Sequence, residues 1–437
     1  MWKKTKGVTM KVKRVVAGVV VAMMVSAVGF ASEVDSLANL LAEKGIINYG
    51  EAQQVMTETK EASRSLIAQG KHDTLPYWIQ NISMKGDLRL RHQIDWAVTG
   101  NTVRERERLR LRTGFDTRIS ENLKAGFGLA TGSEKNLDAG AVTVSTKTGS
   151  GTATGTTIID AEPTSTNHTF GNGFAKAMLM VDYAYLEYTP YSWAKVTGGK
   201  MKSGTQLWQT TDLQWDTDIN PDGLAVNFTK TFGKVDTFLN ASYLVVNELN
   251  SATQDNPDMT IIQPGASYNI TDTINAKAAV AFEQFNVNGK YTGYYGTPAF
   301  DYCITAPSVN LAFKELLLGY SVNVFGDFTN NSDSKATTDT MGSAYGVKVG
   351  NEKIAGFGDW QATYLSRRLE ANAWLNKLGD SDTYGGAVNT QGMEAIVSVG
   401  LTSATTLIFD YYSMDLIKNS TSLTPKTLLQ CDVVYKF

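Results

Sequence analysis

Between Arg104 and Arg112 an arginine occupies every second position, so the run RERERLRLR carries five of them. A guanidinium is a permanently charged, planar donor suited to carboxylates and other anions. The chemistry on offer is therefore anion contact rather than proton transfer. A period of two decides what must hold these groups. On a helix, residues two apart point to different sides, whereas on a strand they share one face. The opposite face of the same stretch is Leu109, Leu111, Thr113, Phe115, Thr117 and Ile119. One wall suits water and anions, and the other suits an apolar surrounding.

Catalytic constellations are harder to assemble. The histidines are His72, His92 and His168, none beside a serine or cysteine placed to act as nucleophile, and there is no H-E-x-x-H or clustered Cys/His set. Glu283 and Asp410 fall on the polar faces of their strands as single carboxylates, suited to selectivity or solvation. The acidic stretch DTDINPDG lacks the D-x-[DN]-x-[DN]-G calcium pattern. No catalytic residue, metal site or cofactor is therefore expected. With 40 Lys plus Arg against 43 Asp plus Glu and a formal charge of −3, no basic domain exists for phosphate backbones, and nucleic acid is not an expected partner.

The elements that must position the arginines follow from an alternation that begins at Ile82 and continues to Phe437. The first strand, 82–95, puts Met84, Leu88, Leu90 and Ile94 on one face and Lys85, Asp87, Arg89, Arg91 and Gln93 on the other. The arginine run is the second, and Ala125, Phe127 and Leu129 mark the third. Further strands are expected near 177–188, 193–201, 223–230, 235–246, 259–269, 274–286, 304–314, 316–328, 343–351, 356–366, 391–400, 403–415 and 427–437. Connections after even-numbered strands are short (TPYS, KTFGK, NITD, LTSA), and those after odd-numbered strands are long and polar. That asymmetry suits an all-β, transmembrane antiparallel barrel of about 16 strands with both termini in the periplasm. After the N-terminus no stretch approaches the roughly 20 consecutive apolar residues of a spanning helix. Cys303 and Cys431 read as separate packing thiols.

The ends of the chain carry their own signals. Lys11, Lys13 and Arg14 precede the apolar run Val15 to Val28 and the small-x-small site Gly29-Phe30-Ala31, so a secretory signal peptide is expected over 1–31. Residues 32–80 are expected to form a periplasmic helical or coiled-coil segment and linker. Leu37, Leu40 and Leu41 recur at helical spacing, and Asn48 with Glu51 forms a capping box opening a second helix through Val55, Met56 and Leu66. The barrel would then occupy 81–437. Its last strand, LLQCDVVYKF, ends on Tyr435 and Phe437 and resembles the signal that outer-membrane barrels present to their assembly machinery.

Several passages together resemble a bacterial outer-membrane family called the putative porins. They are KGDLRLRHQ (Lys85 to Gln93), VDYAYLEYTP (Val181 to Pro190), LQWDTDINPDGLAV (Leu213 to Val226) and RRLEANAWLNKLGDSDTYGGAVNTQG (Arg367 to Gly392). The resemblance implies a sixteen-stranded porin fold and no chemistry or established substrate. The expectation is a porin exported by a Sec signal to the outer membrane of a Gram-negative-type cell, bathed by outer-membrane lipids. It would form a water-filled channel for passive diffusion of small hydrophilic solutes and ions, with a homotrimer as one assembly open to it. The alternative is a barrel that anchors the envelope or acts as a surface adhesin, with the N-terminal helical segment as tether.

In such a barrel the polar faces line the bore. Lys85, Arg89, Arg91, Arg108, Arg110 and Arg112 are expected on its wall, with Arg89, Arg91, Arg110 and Arg112 near mid-height. The third long loop, Met201 to Asp222, carries Asp212, Asp216, Asp218 and Asp222 together with Trp208 and Trp215. In general porins the third loop folds into the bore. The tryptophans favour the same course here, because their apolar mass is poorly placed in open water. An acidic loop facing the arginines would set a transverse field across a narrow eyelet and orient dipolar solutes.

Overall fold

The computed structural model describes residues 48–54, 56–58, 79, 81–97, 102–132, 142–148, 151–157, 164–171, 173–174, 176–248, 256–286, 300–419 and 424–437. The expected signal peptide lies outside the described residues, as do Leu37, Leu40, Leu41, Val55 and Leu66 of the expected helices. The chain divides into two units, 1–80 and 81–437. In the first, residues 49–54 and 56–58 are helical. Their capping box is formed: the Glu51 N–H donates to Asn48 Oδ1 at 2.9 Å, and the Asn48 N–H donates to Glu51 Oε2 at 2.9 Å. Among the described residues no helix is long and apolar enough to cross a membrane.

The second unit is built of strands. In chain order they are β1 (Ser83–Ala97), β2 (Thr102–Arg118), β3 (Leu123–Gly132), β4 (Val142–Thr148), β5 (Gly151–Thr157), β6 (His168–Thr169), β7 (Met178–Tyr191), β8 (Ala194–Lys200), β9 (Asp222–Phe232) and β10 (Val235–Val245). They continue as β11 (Asp258–Asn269), β12 (Ile274–Asn286), β13 (Tyr302–Leu317), β14 (Tyr320–Asn331), β15 (Met341–Gly350), β16 (Trp360–Leu369), β17 (Thr390–Gly400), β18 (Thr405–Leu416) and β19 (Lys426–Lys436). β4 and β5 pair only with each other, and β6 adds two residues beside β2. The other sixteen form an antiparallel meander in which β19 pairs with β1, from Asp87↔Lys436 to Ala97↔Lys426. Closure leaves the sheet without a free edge, as a lipid environment requires.

Two local features differ from the sequence expectation. β4, β5 and β6 fall in a stretch read as loop, because its Thr, Gly and Ser composition carries no apolar alternation. The turn between β13 and β14 lies at Leu318 and Gly319, some residues beyond the expected break. Left-handed backbone at Leu318 (φ 53°) and Gly319 (φ 83°) makes that turn, and Glu315 (φ 55°) sits in a bulge that lengthens β13.

Alternation then sorts the side chains. Leu88, Leu90, Leu186, Phe282, Val324, Tyr364 and Phe409 are exposed on the outer surface, where lipid would meet them. Among the described residues, the largest buried apolar cluster lies inside the barrel. There Leu207, Leu213, Trp215 and Ile219 of the 201–221 segment and Ala373, Trp374, Leu375 and Leu378 of the 370–389 segment pack on Ala225, Leu244, Ile261, Phe285, Ile304, Ala344 and Leu369 of the wall.

Tight strand approach is specified by glycine. Gly223 has φ 152°, and a Cβ there would lie 2.1 Å from Tyr243 O. Gly223→Ala should therefore weaken the β8, β9 and β10 pairings, with about 1–3 kcal/mol from backbone strain alone. The expected result is a lower urea midpoint for the form that shifts mobility on heating in gels; an unchanged midpoint would contradict it.

Candidate functional site in the bore

The β1/β2 register sets Arg89 opposite Arg110 and Arg91 opposite Arg108. Like charges in directly opposed positions repel, so the ladder depends on interleaved acceptors. Asp87 takes Arg110 Nη2 at 2.7 Å and Arg112 Nε at 2.7 Å. Asp432 of β19 grips Arg91 with both oxygens, from Nε at 2.7 Å and from Nη2 at 2.7 Å. Asp95 takes Arg106 Nη2 at 2.7 Å, and Arg108 Nη1 donates to Gln93 Oε1 at 3.1 Å. Arg89 Nη2 donates to Asn167 Oδ1 at 2.5 Å, which brings the 164–169 segment onto the wall. Much of the counter-charge is thus built into the wall itself.

The four loop aspartates separate into different roles. Asp218 reaches the ladder, with Oδ1 3.1 Å from Arg112 Nη1 and Oδ2 accepting the Thr166 hydroxyl at 3.1 Å. Asp216 is buried and accepts the backbone N–H groups of Asp218 and Ser381, each at 2.8 Å. Asp212 accepts the Thr217 hydroxyl at 3.3 Å. Asp222 opens β9 and pairs with Lys200 Nζ at 3.2 Å rather than with an arginine. Trp208 lies beneath Lys277 Nζ, 4.3 Å from the ring centre, and Trp215 Nε1 donates to Glu283 at 3.2 Å. Lys85 is exposed and lines a cavity of about 370 Å³ with Asp87, Arg112, Lys202, Asp218 and Lys436.

Sequence reasoning missed the 370–389 segment. Its Asp382 stands 3.3 Å from Arg91 Nη1, and its Asp380 stands 2.9 Å from Arg367 Nη1. It is also joined to the 201–221 segment. The Asp216 N–H donates to Leu378 O at 2.8 Å, the Asp380 N–H to Asp212 O at 3.0 Å, and Trp374 Nε1 to Gln214 O at 2.6 Å. The signal that pointed to Trp208 and Trp215 was equally present here, in the apolar AWL at Ala373 to Leu375 inside a polar loop.

Charge differs across this loop pair. Burial pushes the Asp382 carboxyl up, but Arg91, Arg108 and Arg89 outweigh it and hold the group below its ordinary range. Asp212 is raised to about 7, by burial first and then by neighbouring Asp380. Burial and Asp218 likewise raise Asp216. A pH dependence follows. An undocked loop would titrate Asp212 near its ordinary value of about 3.9. The docked state therefore binds more protons across the window from roughly pH 4 to 7, so docking is strongest below it, weakens through it and levels off above it. Open-channel noise should rise across that window, and Asp212→Asn should reduce the rise, with Asp216 supplying the remainder. A wild-type channel with pH-independent noise would overturn the assignment.

At the seam, the Gly86 N–H donates to Phe437 O at 2.9 Å. The Phe437 ring covers Gly86 so closely that a Cβ there would lie 2.4 Å from it. Tyr435 stacks on Phe437 with centroids 6.1 Å apart.

A closed sixteen-stranded barrel with an apolar outer face and a charged interior belongs to the class of outer-membrane channel proteins. The sequence pattern of the family described as "putative porin" matches residues 137–309 and 308–437, more than half of the chain, and the chain belongs to that family. Similar solved structures include a triple variant of Rhodopseudomonas blastica porin, at 11% identity over 82% of this chain and 100% of that chain, TM-score 0.43. Another is Salmonella typhi OmpF in complex with daunomycin, at 11% identity over 82% of this chain and 98% of that chain, TM-score 0.45. No curated protein matches the sequence.

Proposed function

We propose that this porin passes small hydrophilic solutes and ions by passive diffusion, and that its constriction is formed by the β1/β2 arginines against the two inward loop segments. The observation that carries this reading is the pair of contacts Arg112–Asp218 and Arg91–Asp382, at 3.1 and 3.3 Å, which set acids from two loops against one cationic wall. A fixed field of this kind favours dipolar solutes over apolar ones. Export by a signal peptide over 1–31, a periplasmic segment over 32–80 and recognition of Tyr435 and Phe437 by the barrel assembly machinery complete the proposal.

The test is reconstitution in planar bilayers. The wild-type protein should give discrete conductance steps. Replacing Arg89, Arg91, Arg110 and Arg112 together by Gln should move the reversal potential in a salt gradient toward cation preference. An unchanged reversal potential in a folded variant would remove the arginines from the constriction.

A further inference from the structure

A second cavity, of about 210 Å³, lies between the 201–221 segment and the wall of β14 to β18, and it shares no lining residue with the cavity beside the arginine ladder. It is lined by both basic and acidic side chains. Arg367 is buried and uses Nη1 on Asp380, at 2.9 Å, while its Nε and Nη2 have no hydrogen-bond partner. Buried guanidinium N–H groups are costly to leave unmatched, so this side chain is set up to receive an acceptor. Lys348 lines the same cavity and has no ion-pair partner among the described residues. Thr210 adds a hydroxyl oxygen that is also unpartnered. Asp212 and Glu394 supply the acidic side, and Leu365 gives an apolar surface between the polar groups.

We propose that this cavity is a binding subsite for small zwitterionic solutes, α-amino acids with short side chains, which place the carboxylate on Arg367 and Lys348 and the ammonium on Asp212 and Glu394, whose ionised forms the nearby cation favours. Size fits the class: at about 30 Å³ per water the cavity displaces roughly seven waters, comparable with the handful of non-hydrogen atoms in serine. A carboxylate alone would bring no cation to the acids, and an amine alone would leave Nε and Nη2 of Arg367 without an acceptor. The zwitterion matches both. The inference rests on the channel reading and assigns it a substrate class.

The test is current blockade of single channels in potassium chloride by L-serine, propionate and propylamine, each at the same concentration. Serine should interrupt the current with a half-blocking concentration about tenfold below that of either mono-ion, the factor expected from one additional polar contact of about 1.4 kcal/mol. Arg367→Gln should abolish the advantage of serine over propylamine, and Glu394→Gln its advantage over propionate. Lys348→Gln, which removes no ion pair among the described residues, should weaken serine blockade if the buried variants fail to fold. Channels that conduct but show no serine blockade, or that are blocked equally by propionate, would overturn the subsite and leave the porin reading standing. Folded protein without conductance would overturn both.

Discussion

Trp374→Ala should release the 370–389 segment from the bore and raise single-channel conductance. The indole is fully buried, donates Nε1 to Gln214 O at 2.6 Å and meets Trp215 edge-on with centroids 5.7 Å apart. Truncating a buried tryptophan costs about 3–5 kcal/mol. At 1.4 kcal/mol per tenfold, that lowers the docked-to-undocked ratio by roughly 10² to 10³ or more. Three backbone-mediated contacts remain, from Asp216 N–H, Asp380 N–H and Ser381 N–H, together with the wall contacts Arg367–Asp380, Arg91–Asp382 and Tyr384 hydroxyl to Met414 O, and all of them share the docking equilibrium that the lost indole weakens. Strand pairing is untouched, so heat-dependent gel mobility should persist. Protease nicking within 370–389 should accompany the conductance change. Deleting residues 205–218 should act in the same direction and also shift permeability toward anions, because Asp218 is then lost from Arg112. Unchanged conductance in both variants would show that neither segment narrows the bore.

The wall was legible from the sequence and the contents of the bore were not, for a physical reason. Lipid outside and polar surroundings inside impose a period of two on every strand, and that period survives in the residues one at a time, as in Leu88, Arg89, Leu90 and Arg91. Loop docking imposes no period. Arg91 meets Asp382 across 291 positions, and Trp374 meets Gln214 across 160. Nothing local to Asp212 or Asp216 says that they face another loop's backbone and carboxylates instead of the arginines. Composition also misleads in the two strands that stand outside the barrel sheet. β4 and β5 pair with each other alone, and their Thr-rich sequences read as loop. The β13/β14 turn was displaced for a different cause. The run KELLLGY has no turn former before Gly319, so the strand continues through a bulge that no pattern of apolar residues announces.

Asp432→Asn should be the most damaging single charge change in the wall. The carboxylate is buried on β19 and holds buried Arg91 of β1 with two 2.7 Å hydrogen bonds, and Arg91 and Asp432 are register partners across the strand pair that closes the barrel. Asparagine keeps the shape but offers one acceptor and no charge, so Arg91 retains only Asp382 at 3.3 Å as an ionic partner. Removing one member of a buried pair costs about 3–5 kcal/mol because the other charge stays desolvated, and the retained amide acceptor places this change toward the lower end. The urea midpoint of the folded, heat-modifiable form should fall. Ion preference should move toward anions, since a wall charge of −1 is lost beside Arg89 and Arg91. Adding Arg91→Gln should recover part of the lost stability, because the guanidinium left without Asp432 is then removed, although Asp382 loses Arg91 and Arg89 loses Asp432 at 3.7 Å, and the non-additivity measures the coupling of the pair. Additive effects of the two substitutions would show that Arg91 and Asp432 do not hold the closing seam as a unit.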